Sequence, residues 1–182
     1  MKWLLLITLL VSSLLVTPRV FADDTSGTVV IPTPTPAIEY TLPYPGILPD
    51  HPLYPLKMAR DKIILLLITD PEKKAEFNLL QADKRIQAAV YLVEEDKRKG
   101  KLAVNTIDKG ENYFHDAVEQ TVNLKKQGRE VGGLLSSLDH AASKHIDLLS
   151  GLTVVLPQDA KELSQIKKRM QLYQDRIHQS QK

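Results

Sequence analysis

Residues 69–100 read TDPEKKAEFNLLQADKRIQAAVYLVEEDKRKG, and this stretch decides the fold. Its apolar residues recur at alternating spacings of four and three, at Ala75, Leu79, Ala82, Ile86, Ala89 and Val93. A helical turn has about 3.6 residues, so this spacing places them on one face of an α-helix. Thr69 or Asp70 is suited to cap the helix start, and Gly100 is expected to mark its end. The stretch therefore predicts one long helix with a single apolar face.

Three later segments, over about residues 102–127, 130–150 and 159–178, repeat this spacing. Gly128 and Gly151 are expected to end the first two, with residues 152–157 as an extended connector. Asp159 and Glu162 have the spacing of a capping box before the last helix. Gly110 lies inside a helix, where glycine costs about 1 kcal/mol relative to alanine, or else marks a close crossing of two helices.

Residues 56–68 are predicted to form the first helix, which includes six consecutive apolar residues, Ile63–Ile68. A helix that is apolar on all sides is expected to be buried. The alternative is membrane contact. It is less favoured because the helix would extend only about 20 Å, which is shorter than a bilayer core of about 30 Å. Five helices must bury their apolar faces against one another, which predicts an all-α, up-and-down bundle of about five helices.

The N-terminus is typical of a signal peptide over residues 1–22. Lys2 precedes an uncharged apolar run over residues 3–16, and Ala22 provides a small residue for cleavage. The run is shorter than the roughly 20 residues of a spanning helix. Cleavage after Ala22 is therefore expected, a retained anchor being the alternative. Cleavage would leave 22 basic and 22 acidic residues, and a chain without net charge argues against nucleic-acid binding. An exported, cleaved chain is predicted to be extracytoplasmic, either periplasmic or secreted, and to have no spanning helix.

Residues 23–48 are rich in Pro and Thr, which predicts a semi-rigid linker to a helical domain over residues 49–182. The end of this linker and the first residues of the domain contain Tyr44 and Tyr54. These tyrosines are expected to pack the loop on the domain, and the alternative is that they form an interaction surface.

Three motifs, LPDHPLYPLK over residues 48–57, TDPEKKAE over residues 69–76 and LQADKR over residues 80–85, carry a family resemblance. They resemble a bacterial family of domains of unknown function, the one numbered fifty-six sixty-seven, over about residues 45–145. In the third motif Asp83 stands where that family usually has Glu. The resemblance implies a secreted or membrane-tethered helical module of bacterial envelopes, and it brings no known activity, substrate or catalytic residue.

Residues that most enzymes need are scarce in this sequence. The chain has no Cys, which excludes disulfides, thiolate metal sites and cysteine nucleophiles. The sequence also lacks a Gly-x-Ser-x-Gly motif and a glycine-rich phosphate loop. We therefore predict no catalytic residue and no cofactor, and we expect the protein not to be an enzyme.

Glu111, His115 and Glu119 are the candidate metal ligands, because spacings of four place them on one flank of a helix. A neighbouring element would have to supply a fourth ligand to hold Zn²⁺. The favoured interpretation is that they face water in charge pairs beside the apolar stripe. His145 lies on an apolar stripe and is predicted to be a core histidine with one hydrogen bond.

The sequence thus predicts an exported, non-enzymatic interaction module of the bacterial cell envelope. Its partner would be an envelope protein or a cell-wall component. The alternative is a periplasmic metal- or stress-sensing helical protein that uses Glu111, His115 and Glu119.

Overall fold

A computed structural model describes residues 40–182 of the chain. It contains five α-helices: α1 (Tyr54–Leu67), α2 (Pro71–Glu95), α3 (Gly100–Lys126), α4 (Gly132–Val155) and α5 (Ala160–Gln181). The described part has no strand, so the prediction of an all-α bundle of about five helices is confirmed. The predicted signal peptide and residues 23–39 of the predicted linker lie outside the described residues.

The bundle consists of two helical hairpins that pack on each other. Helix α2 packs along α3, α4 packs along α5, and α5 also contacts α3. The core contains fully buried side chains from all four helices, among them Ile86, Leu92, Ile107, Phe114, Leu135, Leu138, Leu149 and Met170. Burial of these apolar side chains is the main stabilising contribution to the fold.

Helix α2 follows its predicted pattern closely. The side chain of Asp70 accepts a hydrogen bond of 3.0 Å from the backbone N–H of Glu72, and Pro71 occupies the first turn. Asp70 rather than Thr69 is thus the capping residue. All six residues of the predicted apolar stripe are buried, which confirms the face that the sequence assigned to the core.

Two of the glycines act as expected. Gly128 follows α3 and has a φ of +80°, a left-handed conformation that favours glycine. An added Cβ on Gly110 would lie 3.0 Å from the Cβ of Arg85 and 3.3 Å from the backbone oxygen of Ala82. The alternative of a close crossing at Gly110, between α2 and α3, is therefore confirmed.

The predicted helix ends at Gly100 and Gly151 are wrong. Helix α2 already ends at Glu95, and Gly100 is the first residue of α3. Helix α4 continues through Gly151 to Val155, so residues 152–155 are not an extended connector. Leu152 and Leu156 are both buried, and this packing maintains the helix despite the low helix propensity of glycine.

The predicted capping box at Asp159 is also absent. The Asp159 side chain makes no capping hydrogen bond, and its backbone has φ −106° and ψ 6°. A capping residue usually has extended backbone dihedrals. Here a short 3₁₀ turn, Pro157–Asp159, leads directly into α5, which leaves the Asp159 backbone near-helical.

Helix α1 contradicts the prediction that it is buried on all sides. Its one buried residue is Asp61, which is 3% exposed, whereas Leu66 is 85% exposed. Leu56, Ile63 and Leu67 also face solvent. The prediction failed because the side of α1 that faces the bundle carries Met58 and Asp61 and not the apolar run: the Arg85 guanidinium donates to Met58 Sδ at 3.2 Å.

Candidate functional site

A shallow cleft lies between the loop of residues 40–53 and helix α2. It encloses about 330 Å³ and is lined by Tyr44, Pro45, Gly46, Leu48, Tyr91 and Glu95; we name it the Tyr44 cleft. The Tyr44 side chain is 75% exposed, and its ring meets that of Tyr91 edge to face with 6.3 Å between centroids. Most of the lining is apolar, so the cleft is suited to an apolar or aromatic group of a partner.

Two lysines hold the loop in place. Lys57 Nζ donates to the backbone oxygens of Pro45 at 2.5 Å and Ile47 at 3.1 Å. Lys99 Nζ lies 2.6 Å from carboxylate oxygens of both Asp50 and Glu95. Gly46 allows the turn between these contacts, because its φ is +72°. These contacts attach the loop to α1 and to the end of α2, beside the Tyr44 cleft.

Tyr54 is placed differently from Tyr44. It is the first residue of α1, it is half-buried, and it does not line the Tyr44 cleft. Burial raises the pKa of Tyr54, and the ammonium of Lys57 lies 5.6 Å from the centroid of its ring. Tyr44 thus contributes to an open surface, whereas Tyr54 contributes mainly to the contact of α1 with the bundle.

A buried hydrogen-bond cluster joins the loop to two core helices. His145 Nε2 on α4 lies 2.8 Å from one carboxylate oxygen of Asp83 on α2, and the Tyr40 hydroxyl donates to the other oxygen at 2.6 Å. Asp83 is 4% exposed and His145 is 1% exposed. The ring of Phe114 packs edge to face against His145. The prediction that His145 is a core histidine with one hydrogen bond is confirmed.

The pKa of Tyr40 makes this cluster sensitive to alkaline pH. Burial, then the charge of Asp83 and the hydrogen bond to it, raise the pKa of Tyr40 well above its usual 10.0. Above pH 10 the unfolded chain therefore loses this proton before the folded chain does, and stability falls as pH rises. The maximum slope for one group is about 1.4 kcal/mol per pH unit.

We predict that Tyr40→Phe is less stable than the native chain at pH 7, because it lacks the hydrogen bond to Asp83. The difference between the two should shrink as the pH rises from 10 to 11, since phenylalanine has no proton to lose. Urea denaturation at both pH values measures it. A difference that stays constant or grows with pH would contradict the raised pKa.

The comparison with known families covers most of the folded part. The family model described as Domain of unknown function (DUF5667) matches residues 46–172, more than half of the chain. The chain belongs to this family. The match confirms the resemblance of the three motifs and extends past residue 145 into α5. No curated protein and no solved structure matches the chain.

The residues matched by the DUF5667 model include some residues of the buried cluster and the Tyr44 cleft but not all of them. Asp83, His145 and Tyr91 lie inside the matched residues, whereas Tyr40 and Tyr44 precede them. The carboxylate of Asp83, inside the matched region, binds both His145 and Tyr40. Two loop residues of the cleft, Gly46 and Leu48, also lie inside the matched region.

The three candidate metal ligands of this DUF5667 chain lie where α3 meets α5. Glu111 forms an ion pair with Arg169, and Glu119 accepts a hydrogen bond of 2.8 Å from Arg176. The ring of His115 lies beside that of Tyr173, with 5.3 Å between centroids and a tilt of 55° between the ring planes. The three residues share one flank of α3, as their spacing predicted. Among residues 40–182, no group of three or more His, Asp or Glu side chains is arranged to hold a metal ion.

Glu111 corrects part of the sequence interpretation. It was expected to face water, but it is only 3% exposed. Arg169 reaches over it from α5 and also donates to Asp108 at 2.8 Å, and the hydrogen bond to Glu111 raises the pKa of Arg169. A buried carboxylate requires such a partner, because an unpaired buried charge is strongly destabilising.

Sequence reasoning missed Tyr40 and Tyr91. Tyr40 lies in the segment interpreted as linker, and nothing local indicates that its hydroxyl reaches Asp83, 43 positions later. Tyr91 lies on α2 outside the apolar stripe. An aromatic side chain on the polar side of an amphipathic helix was the available signal.

Proposed function

We propose that this protein is an exported, non-enzymatic interaction module of the bacterial cell envelope. It would bind an envelope protein or a cell-wall component through the Tyr44 cleft. The observation that carries this proposal is the exposed Tyr44 ring, held against Tyr91 above a mostly apolar cleft. Exposed aromatic residues beside a preformed apolar cleft are characteristic of recognition surfaces.

A non-enzymatic role is supported by the position of the groups suited to acid–base chemistry. Asp83 and His145 are hydrogen-bonded to each other and almost completely buried. A general acid or base must reach the proton that it transfers. Substrate therefore has no access to this pair, and its evident role is to hold α2, α4 and the loop together.

Export is supported by the sequence of residues 1–22 and is tested separately. We expect the mature protein in cells to begin at Asp23 and to be digested by protease added outside the cytoplasmic membrane. Mass spectrometry of the purified protein and protease treatment of spheroplasts measure these outcomes. A chain that begins at Met1 and resists protease in intact spheroplasts would contradict export.

Partner binding is tested with a photo-crosslinking amino acid placed at Tyr44. Leu172, an exposed apolar residue of α5, is the matched control position. We expect a discrete crosslinked product in cells for position 44 that is absent for position 172. Tyr91→Ala in the same chain should remove it, because the aromatic wall of the cleft is lost. Equal crosslinking at both positions, or none at Tyr44, would count against the Tyr44 cleft as the binding surface.

Metal or stress sensing through Glu111, His115 and Glu119 is the weaker candidate function. Two of the three side chains already bind arginines of α5. A metal ion would have to displace these ion pairs, one of which is buried. No observation on the described residues favours this alternative over the interaction module.

A further inference from the structure

Helix α1 carries an apolar stripe on the side that faces solvent. Successive residues of an α-helix are rotated by about 100°, so Leu56, Ile63 and Leu67 lie within an arc of about 40°. All three side chains are exposed, and the strongly exposed Leu66 lies beside them. We name these four residues the outward face of α1. A contiguous apolar surface of this kind on a folded domain marks a contact site.

The opposite side of α1 explains why this face is not needed to hold the helix. Asp61 is buried there, and Met58 accepts a hydrogen bond from Arg85 on α2. The Arg85 guanidinium in turn stacks on Tyr113 of α3, with Cζ 4.1 Å from the ring centroid. The side of α1 that carries Met58 and Asp61 thus faces the bundle, and its apolar face remains exposed.

The charges of α1 favour one kind of occupant. Arg60 and Lys62 are exposed and flank the stripe on its two sides. Arg60 also forms an ion pair of 2.7 Å with Asp61, so Lys62 is the cation of this pair that has no carboxylate partner on α1. Asp61 is the sole acidic residue of α1, and it is buried. The solvent side of the helix therefore combines apolar and basic side chains without a carboxylate. This combination is typical of helices that lie on anionic membrane surfaces, where the apolar residues insert and the cations contact phosphates.

The length of α1 determines how it would contact a bilayer. Its 14 residues extend about 21 Å, which is less than the roughly 30 Å of a hydrocarbon core. Among the described helices, none is long and apolar enough to cross a membrane. We propose that α1 lies in the plane of an anionic phospholipid bilayer surface, with its outward face inserted among the acyl chains. This second surface is distinct from the Tyr44 cleft and does not depend on the proposed partner.

Vesicle sedimentation tests this proposal with protein that lacks residues 1–22, whose apolar run would itself bind lipid. Residues 40–182 belong to one compact unit, so this truncation leaves the folded part intact. We expect binding to vesicles of phosphatidylglycerol and phosphatidylcholine in equal amounts. Vesicles of phosphatidylcholine should bind much less, as should mixed vesicles in 1 M salt, because salt screens the attraction of the cations.

Substitutions on α1 locate the contact. Ile63→Asp and Leu67→Asp should each weaken binding to the mixed vesicles at least tenfold, and Lys62→Gln about fivefold. Val154→Asp, at an exposed apolar position of α4, is the matched control and should bind like the native protein. Because these side chains are exposed, all variants should retain the native circular dichroism spectrum.

Three outcomes would overturn the proposal. The first is that the native protein does not sediment with the mixed vesicles. The second is that Ile63→Asp binds as well as Val154→Asp. The third is that light scattering shows a dimer of the native protein that Ile63→Asp dissociates, which would make the outward face a contact between two copies. Crosslinking at Tyr44 is scored independently, so either proposal can fail while the other stands.

Discussion

Replacing Asp83 with alanine is expected to lower the free energy of unfolding by about 3 kcal/mol. The Asp83 carboxylate accepts hydrogen bonds from Tyr40 and His145, and both partners would be left without it. Leaving a buried polar group unsatisfied costs about 1–3 kcal/mol for each group. Urea denaturation followed by circular dichroism measures the change.

Two variants serve as controls for Asp83→Ala. Asp139→Ala removes a carboxylate from the same bundle, but its partners Gln174 and His178 are partly or fully exposed and can bind water. We expect a cost below about 1 kcal/mol for it. Asp83→Asn retains one acceptor oxygen and should lie between the other two. If Asp83→Ala unfolds within 1 kcal/mol of the native chain, the cluster does not have the structural role assigned to it.

Replacing Gly110 with leucine is expected to destabilise the fold by about 2 kcal/mol. A Cβ at this position already lies 3.0 Å from the Cβ of Arg85 and 3.3 Å from the Ala82 oxygen. The additional carbon atoms of leucine would force α2 and α3 apart, and these two helices share the largest helix–helix contact of the bundle. Thermal and urea unfolding measure the loss, and a melting temperature at or above that of the native chain would contradict the close crossing.

Gly132→Ala is the matched control for Gly110. Gly132 is the first residue of α4, and no atom lies within 4 Å of an added Cβ. Alanine has the higher helix propensity and restricts the unfolded chain. This variant should therefore be as stable as the native protein or slightly more stable, which shows that glycine replacement in a helix is not harmful in itself.

The helices that form the bundle could be predicted from the sequence, because their apolar spacing directly reflects burial. The stripe of α2 and the crossing at Gly110 are both present as predicted. The ends of α2 and α4 could not be predicted from glycine positions. Packing of Leu152 and Leu156 outweighs the local preference of Gly151, and such packing is a property of the whole fold.

The orientation of α1 could not be predicted, because an unbroken run of apolar residues does not indicate which side of the helix contacts the bundle. Arg85 lies 27 positions after Met58 in the sequence, yet the two side chains are in contact. Only the fold brings the Met58 side of α1 to this arginine. Tyr44 was named from the sequence as a loop-packing residue or, alternatively, part of an interaction surface, whereas the contribution of Tyr91 required knowledge of how the loop lies on α2.

The bond between Tyr40 and Asp83 determines how the domain would respond to mechanical load. A pull on the N-terminal segment would reach Tyr40 before it reaches α1, and Tyr40 is bonded to Asp83, a buried residue of α2 that also contacts His145 of α4. Tension would therefore act on α2 and α4 together, instead of peeling α1 from the outside. The hydrogen bond of the Tyr40 hydroxyl would therefore transmit the force to the bundle before α1 is stretched.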